Sequence, residues 1–201
     1  MTTFLLIRHG LTDAVGNLMS GHSEGVHLNA TGEAQARTLS DRLGPVTIDA
    51  VYASPLERTR RTAQALADAR GLQVQEDDRL IEIDYGRWTG KRFADMTGKP
   101  EWALYNTVRS VTRPPEGDSL LDIQHRAVNA LLDFHSRHRD GTVAVVTHAD
   151  TLRAIVLYFL GMPVDFVLRL ELSPARITVL QLGDSPPRML QVNGETVPAI
   201  G

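Results

Sequence analysis

With 201 residues, no cysteine, 42% hydrophobic and 22% charged residues and a formal charge of −3, the chain has the composition of an ordinary folded protein. A length of this order fits one domain that buries roughly 70% of the surface its unfolded form exposes. The missing cysteines exclude disulfides, thiolate nucleophiles and cysteine-based zinc sites; the mild negative charge excludes a broad basic field for nucleic acid or an anionic membrane; and no apolar run reaches the ~18 residues of a membrane span. Residues 1–7 carry no basic stretch of the kind that opens a signal peptide, so the cytoplasm is the expected location.

In chain order, the apolar run at 3–7 reads as a buried strand that delivers Arg8-His9-Gly10 at its carboxyl end. Asn29-Ala-Thr-Gly opens a helix over 29–43, with Ala36, Leu39 and Leu43 on one side, and Gly44-Pro45 stops it. A second strand is expected at 48–53, followed by a helix for which Ser54 is the N-cap. Residues 71–74 read as a short edge strand, 79–91 as an irregular stretch with turns at Tyr85-Gly86 and Thr89-Gly90, and 93–113 as a weakly helical cap closed by Pro114-Pro115-Glu116-Gly117. Asp118 or Ser119 starts a long amphipathic helix reaching Arg139. Residues 142–147 form a β-branched run that ends in His148, and Asp150 is expected to cap a helix over 151–160. Two segments, 166–172 and 177–182, read as an antiparallel pair, and the chain beyond Asn193 reads as a loose tail. The alternation predicts a three-layer α/β/α sandwich around a mostly parallel sheet, as one domain over 1–201 with a cap insertion around 91–117.

In such sheets ligands bind beyond the carboxyl ends of strands, which is where His9 and His148 fall. Arg8 and Arg58 supply planar forks suited to a phosphoryl group, whose oxygens call for charge-assisted hydrogen bonds. A neutral imidazole at His9 can attack phosphorus through one ring nitrogen while the other donates to a carbonyl and fixes the tautomer. His148 could donate to the transferring oxygens, and Glu82 is the candidate acid for the leaving alkoxide, a role that calls for burial.

The blocks carrying these residues are Arg8-His9-Gly10 with Thr12; 21–28 and Gly32 with Ala34; Ser54-Pro55-Leu56-Glu57-Arg58 with Thr62-Ala63; and Leu80, Glu82, Tyr85-Gly86, Trp88 and Gly90. Gly117-Asp118-Ser119 and Val145-Val146-Thr147-His148 complete them. In this order, over about residues 4 to 160, the sequence resembles the histidine phosphatase superfamily, which includes cofactor-dependent phosphoglycerate mutases and fructose-2,6-bisphosphatases. The resemblance implies a phosphoglycerate mutase-like fold, phosphorylation of His9, proton donation by Glu82, and a phosphate pocket and entrance built from Arg8, Thr12, Asn17, Gly21, His22, Arg58, His148 and Ala149. It implies no metal and no cofactor, in keeping with a sequence that shows no paired-carboxylate or His-x-x-x-His metal pattern.

Two departures stand out. Family members commonly carry Asn three residues after Thr12, where this chain has Val15, leaving Asn17 as a substitute; and many have Gly-Gly after the second histidine, where Ala149-Asp150 follows here. Asp150 either caps a helix or places a carboxylate that opposes anion binding. His125, His135 and His138 read as surface residues, Arg60 and Arg61 as a solvated helix face, Tyr85 and Trp88 as anchors for the Glu82 loop, and Trp102, Tyr105 and Arg109 as either packing or substrate contacts. The expected activity is hydrolysis of a small phosphorylated metabolite, with no nucleic-acid or membrane partner. The alternatives are a phosphoglycerate mutase, in which longer cap and C-terminal segments shield the phosphohistidine, or a non-catalytic phosphate- or partner-binding member. A homodimer through a sheet edge or the cap stays open.

Overall fold

The computed structural model describes residues 1–198. Its centre is a six-stranded sheet in the order β3-β2-β4-β1-β5-β6, formed by β1 (Thr2–Arg8), β2 (Ala50–Ala53), β3 (Val74–Glu76), β4 (Thr142–Thr147), β5 (Ile177–Leu182) and β6 (Arg188–Gly194). The first four are mutually parallel, and β5 and β6 add an antiparallel hairpin beside β1. The two central strands, β1 and β4, are buried almost throughout, as their β-branched and aliphatic runs require.

Because side chains alternate across a strand, β1 feeds two cores at once. Phe4 and Leu6 face α5 (Leu120–Arg137) and α6 (Ala149–Phe159), whereas Leu5 and Ile7 face α1 (Ala30–Arg42) and α2 (Glu57–Asp68). On α5, Ile123, Ala127, Leu131 and Phe134 recur at intervals of three and four and lie buried, and Phe134 stacks on Tyr52 at 3.8 Å between ring centroids. Truncating Phe134 to Ala would cost about 3–5 kcal/mol. A third core joins the Glu82 loop to the cap: Met19, Ile83, Trp88, Met96 and Tyr105 pack on Ile123, Ala154 and Leu157.

Several expectations are corrected. Helix α2 starts at Glu57, not at Ser54; its N-cap is Leu56 without a side-chain bond, and the Ser54 hydroxyl is engaged by His148. Helix α6 starts at Ala149, so Asp150 lies inside its first turn and caps nothing. Residues 166–172 are not a strand: Val164–Arg169 is a 3-10 helix that buries Val164 and Val167 on one side, a spacing of three, and the antiparallel partners of β5 are β1 and β6. The edge strand sits at Val74–Glu76 rather than 71–74, after Gly71 turns the chain at φ +64°. The cap is two short helices, α3 (Phe93–Met96) and α4 (Pro100–Thr107), parted by Gly98 at φ +83° and by Pro100, which is set for a helix start. Beyond Asn193, Glu195 and Thr196 are held by bonds from Arg42 and Gln191 to their carbonyls; residues 199–201 lie outside the described residues. Among the described residues no helix is long and apolar enough to cross a membrane.

Asn29 and Ser119 cap α1 and α5 as the sequence indicates, accepting from Gly32 N and Asp122 N.

Candidate active site

Parallel pairing of β1 with β4 puts Arg8 opposite Thr147, so the residues that follow, His9 and His148, emerge side by side. Their ring centroids are 5.3 Å apart. The His9 amide still belongs to the ladder, donating to Thr147 O at 3.0 Å, and the next amide, Gly10 N, donates to Thr62 Oγ1 at 3.0 Å. Helix α1 backs this loop: Leu11 O accepts from Asn29 N at 3.0 Å, and a Cβ on Gly32 would come within 2.0 Å of the same oxygen, so only glycine fits.

His9 Nδ1 donates to Gly10 O at 2.7 Å. That bond selects the tautomer in which Nε2 carries the lone pair. Burial first, and then the guanidiniums of Arg58 and Arg8, push the His9 imidazole down to about 3, so it is neutral across the working pH range. The same burial and the same arginines, with His9 itself, lower His148 well below its usual value. His148 Nε2 meets Ser54 Oγ at 2.7 Å, while its buried Nδ1 has no hydrogen-bond partner among the described residues.

Arg58, in the first turn of α2 and 1% exposed, anchors one amino nitrogen on Gly21 O at 2.8 Å. Arg8 donates Nη1 to Leu172 O at 2.7 Å. Glu82, 8% exposed, lies on the amino end of α6, where Thr151 N donates to Oε1 at 3.1 Å and Asp150 N to Oε2 at 3.3 Å. Its carbonyl accepts from His22 Nε2 at 2.8 Å and Arg126 Nη2 at 3.0 Å, which pins the loop from two sides.

Arg8, His9, Thr12, Gly21, Arg58, Glu82 and Ala149 line one cleft of about 300 Å³, with Val15 and Leu18 on its rim. Two of the expected lining residues turn to protein groups: Asn17 is exposed and gives its amide to Asp13 O at 3.0 Å, and His22 Nε2 is bound to the Glu82 carbonyl. His148 is fully buried beside His9. A larger groove of about 680 Å³ between α2 and β3 includes His27, Glu57 and Arg61 but none of the groups gathered at the strand ends.

Sequence reasoning missed what Asp150 does. It is buried and ion-paired with Arg109 Nη1 at 2.9 Å and Arg153 Nη1 at 3.0 Å, and it accepts from the Tyr85 hydroxyl at 3.2 Å. Burial pushes its carboxyl up, but the two guanidiniums outweigh that and hold it below the usual carboxylate range. Arg109, left open between packing and substrate contact, is thus a buried ion-pair partner, and Tyr105 packs beneath it at 4.4 Å. The signal in the sequence was the carboxylate in place of glycine; its partner in the cap is distant along the chain. Among the described residues no group of three or more His, Asp or Glu side chains is placed to hold a metal ion.

The family model described as histidine phosphatase superfamily (branch 1) matches residues 4–195. Phosphoserine phosphatase 1 of Hydrogenobacter thermophilus is 30% identical over 202 residues, covering 96% of this chain and 92% of its own. A 2,3-bisphosphoglycerate-dependent phosphoglycerate mutase of Thermoplasma acidophilum is 32% identical over 184 residues, covering 90% and 88%. Among solved structures, YhfR of Bacillus stearothermophilus superposes with a TM-score of 0.89 at 27% identity, covering 98% of both chains.

Proposed function

We propose, because the chain belongs to the histidine phosphatase superfamily, that its cleft hydrolyses the phosphomonoesters of small metabolites in the cytoplasm, with 1–201 acting as one domain. His9 Nε2 attacks phosphorus and forms a P–N bond as the ester P–O bond breaks, and Glu82 hands its proton to the departing alkoxide. Water, giving its proton back to Glu82, then attacks the phosphohistidine, breaks the P–N bond and releases phosphate. Arg8 and Arg58 hold the phosphoryl oxygens, Thr12, Gly21 and Ala149 border them, and His148 Nδ1 faces the transferring group, where its hydrogen bond strengthens as charge builds.

The observation that carries this reading is the His9 Nδ1 bond to Gly10 O, which leaves Nε2 as a free nucleophile near buried Arg58 and half-buried Arg8. A mutase reading is favoured by the 32% identity to the Thermoplasma mutase. Hydrolysis is supported by a cap of only two short helices, of four and eight residues, which gives the cleft Phe93. Phosphate release from a panel of phosphomonoesters, with EDTA present and a 3-phosphoglycerate isomerisation assay alongside, tests the choice. Release that survives EDTA and is lost in His9→Ala is expected; isomerisation with little release makes the chain a mutase, and silence in both returns it to a binding role.

A further inference from the structure

Beyond its phosphate end the cleft opens into a second chamber of about 380 Å³, and the two spaces share Tyr85, Phe93, Asp150 and Arg153. The chamber walls are the rings of Tyr85, Phe93 and Trp102 and the side chain of Leu168, which is 53% exposed. Polar side chains border it too; apart from the buried Nε of Arg109, which has no partner among the described residues, the bonds they make go to other protein groups. One Asp150 oxygen takes Arg109 Nη1 and the Tyr85 hydroxyl; the other takes Arg153 Nη1. Arg109 gives Nη2 to Asn106 Oδ1 at 2.7 Å, Asn106 Nδ2 goes to Trp102 O at 2.9 Å, and Arg153 Nε goes to Leu170 O at 3.0 Å.

One carboxylate therefore occupies two arginines that would otherwise confront the ligand. A second anionic group on the substrate would compete with a buried carboxylate for guanidinium bonds already made, and exposed Glu171 on the same cleft opposes it further. An aromatic or aliphatic body meets no such opposition and leaves water against three rings.

We propose that this chamber seats the alcohol of the ester, and that Asp150, by occupying Arg109 and Arg153, makes the site select aromatic or aliphatic phosphomonoesters over carboxylated ones. The inference rests on the phosphatase reading and adds to it the class of leaving group. The test measures calorimetric binding of 1-naphthyl phosphate and of 3-phosphoglycerate to the His9→Ala chain, which reads preference without turnover. Binding of the naphthyl ester at least about tenfold tighter is expected. Leu168→Lys, at an exposed position, and Asp150→Asn are each expected to move the ratio about fivefold or more toward 3-phosphoglycerate, with Leu168→Lys decisive if Asp150→Asn does not fold. Equal or tighter binding of 3-phosphoglycerate, no binding of either ester, or a ratio that Leu168→Lys leaves in place overturns the proposal. Phosphate release by the native chain is followed in parallel; its absence overturns the phosphatase reading alone and leaves the binding ratio to stand or fall by itself.

Discussion

The two ends of the cleft are built from different materials. At the phosphate end, His9 and His148 are carried on adjacent parallel strands, their ring nitrogens are set by Gly10 O and Ser54 Oγ, and Arg58 is fixed on Gly21 O. At the alcohol end, Phe93, Trp102 and Arg109 come from the short cap helices and the turn after them, and the walls cohere through side-chain bonds converging on Asp150. Backbone placement tolerates little change in side chains, whereas a wall of side chains can be rebuilt without disturbing the sheet. The same fold can then keep one chemistry and alter its choice of alcohol.

If that division is right, changes at the phosphate end lower turnover of every ester alike, and changes at the alcohol end alter ratios between esters. The largest expected effect is His9→Ala, which removes the nucleophile and costs on the order of 10³-fold or more in kcat with an unchanged circular dichroism spectrum. Residual turnover near the native rate would remove His9 from the mechanism. Arg58→Ala follows, at about 10²–10³-fold on all esters. A loss that depends on the alcohol would instead place Arg58 at the other end. Glu82 lines the cleft and accepts from the backbone of Asp150, a residue both ends share, so Glu82→Gln should slow alkyl esters about 10²-fold and 4-nitrophenyl phosphate, whose leaving group needs no proton, far less. Equal losses would count against Glu82 as the acid. Trp102→Ala is expected to raise KM for aromatic esters about tenfold with kcat nearly unchanged, and a kcat effect of that size would blur the division.

Stability should carry the mark of the phosphate end as well. Folded His9 resists protonation down to about 3, whereas the unfolded chain takes the proton near 6.5, so the unfolded state binds more protons at acid pH and stability falls as pH drops from 6.5 toward 3. Between pH 7 and 5 the loss is about 2 kcal/mol from this one group. His9→Gln should flatten that part of the urea-midpoint profile, and an unchanged slope would mean that the imidazole is not held neutral by the fold.

Much of this was legible in the sequence because it is local. The run ending in Arg8-His9-Gly10 announces a strand and its cargo together, and Asn29 and Ser119 announce helix starts by their own side chains. What escaped depends on distant partners. Ser54 looks like a helix cap until β4 brings His148 to it, 94 residues away along the chain. Asp150 looks like another cap until Arg109 arrives from the cap segment. In 166–172 the apolar residues are dense enough to pass for a strand, but β6 takes the free edge of β5 and the chain runs instead as a 3-10 helix over Val164–Arg169 that buries Val164 and Val167.

Gly32 has no side chain to offer any ligand, yet its bare Cα is pressed against the oxygen of Leu11, two residues past the nucleophile. Helix α1 thereby serves as a splint for His9. A methyl group added there would push the helix off the loop and tilt the imidazole while the sheet stayed folded. Inactive variants of this enzyme should therefore gather at α1 as well as in the cleft, and such a variant would be a well-folded chain whose nucleophile has lost its aim.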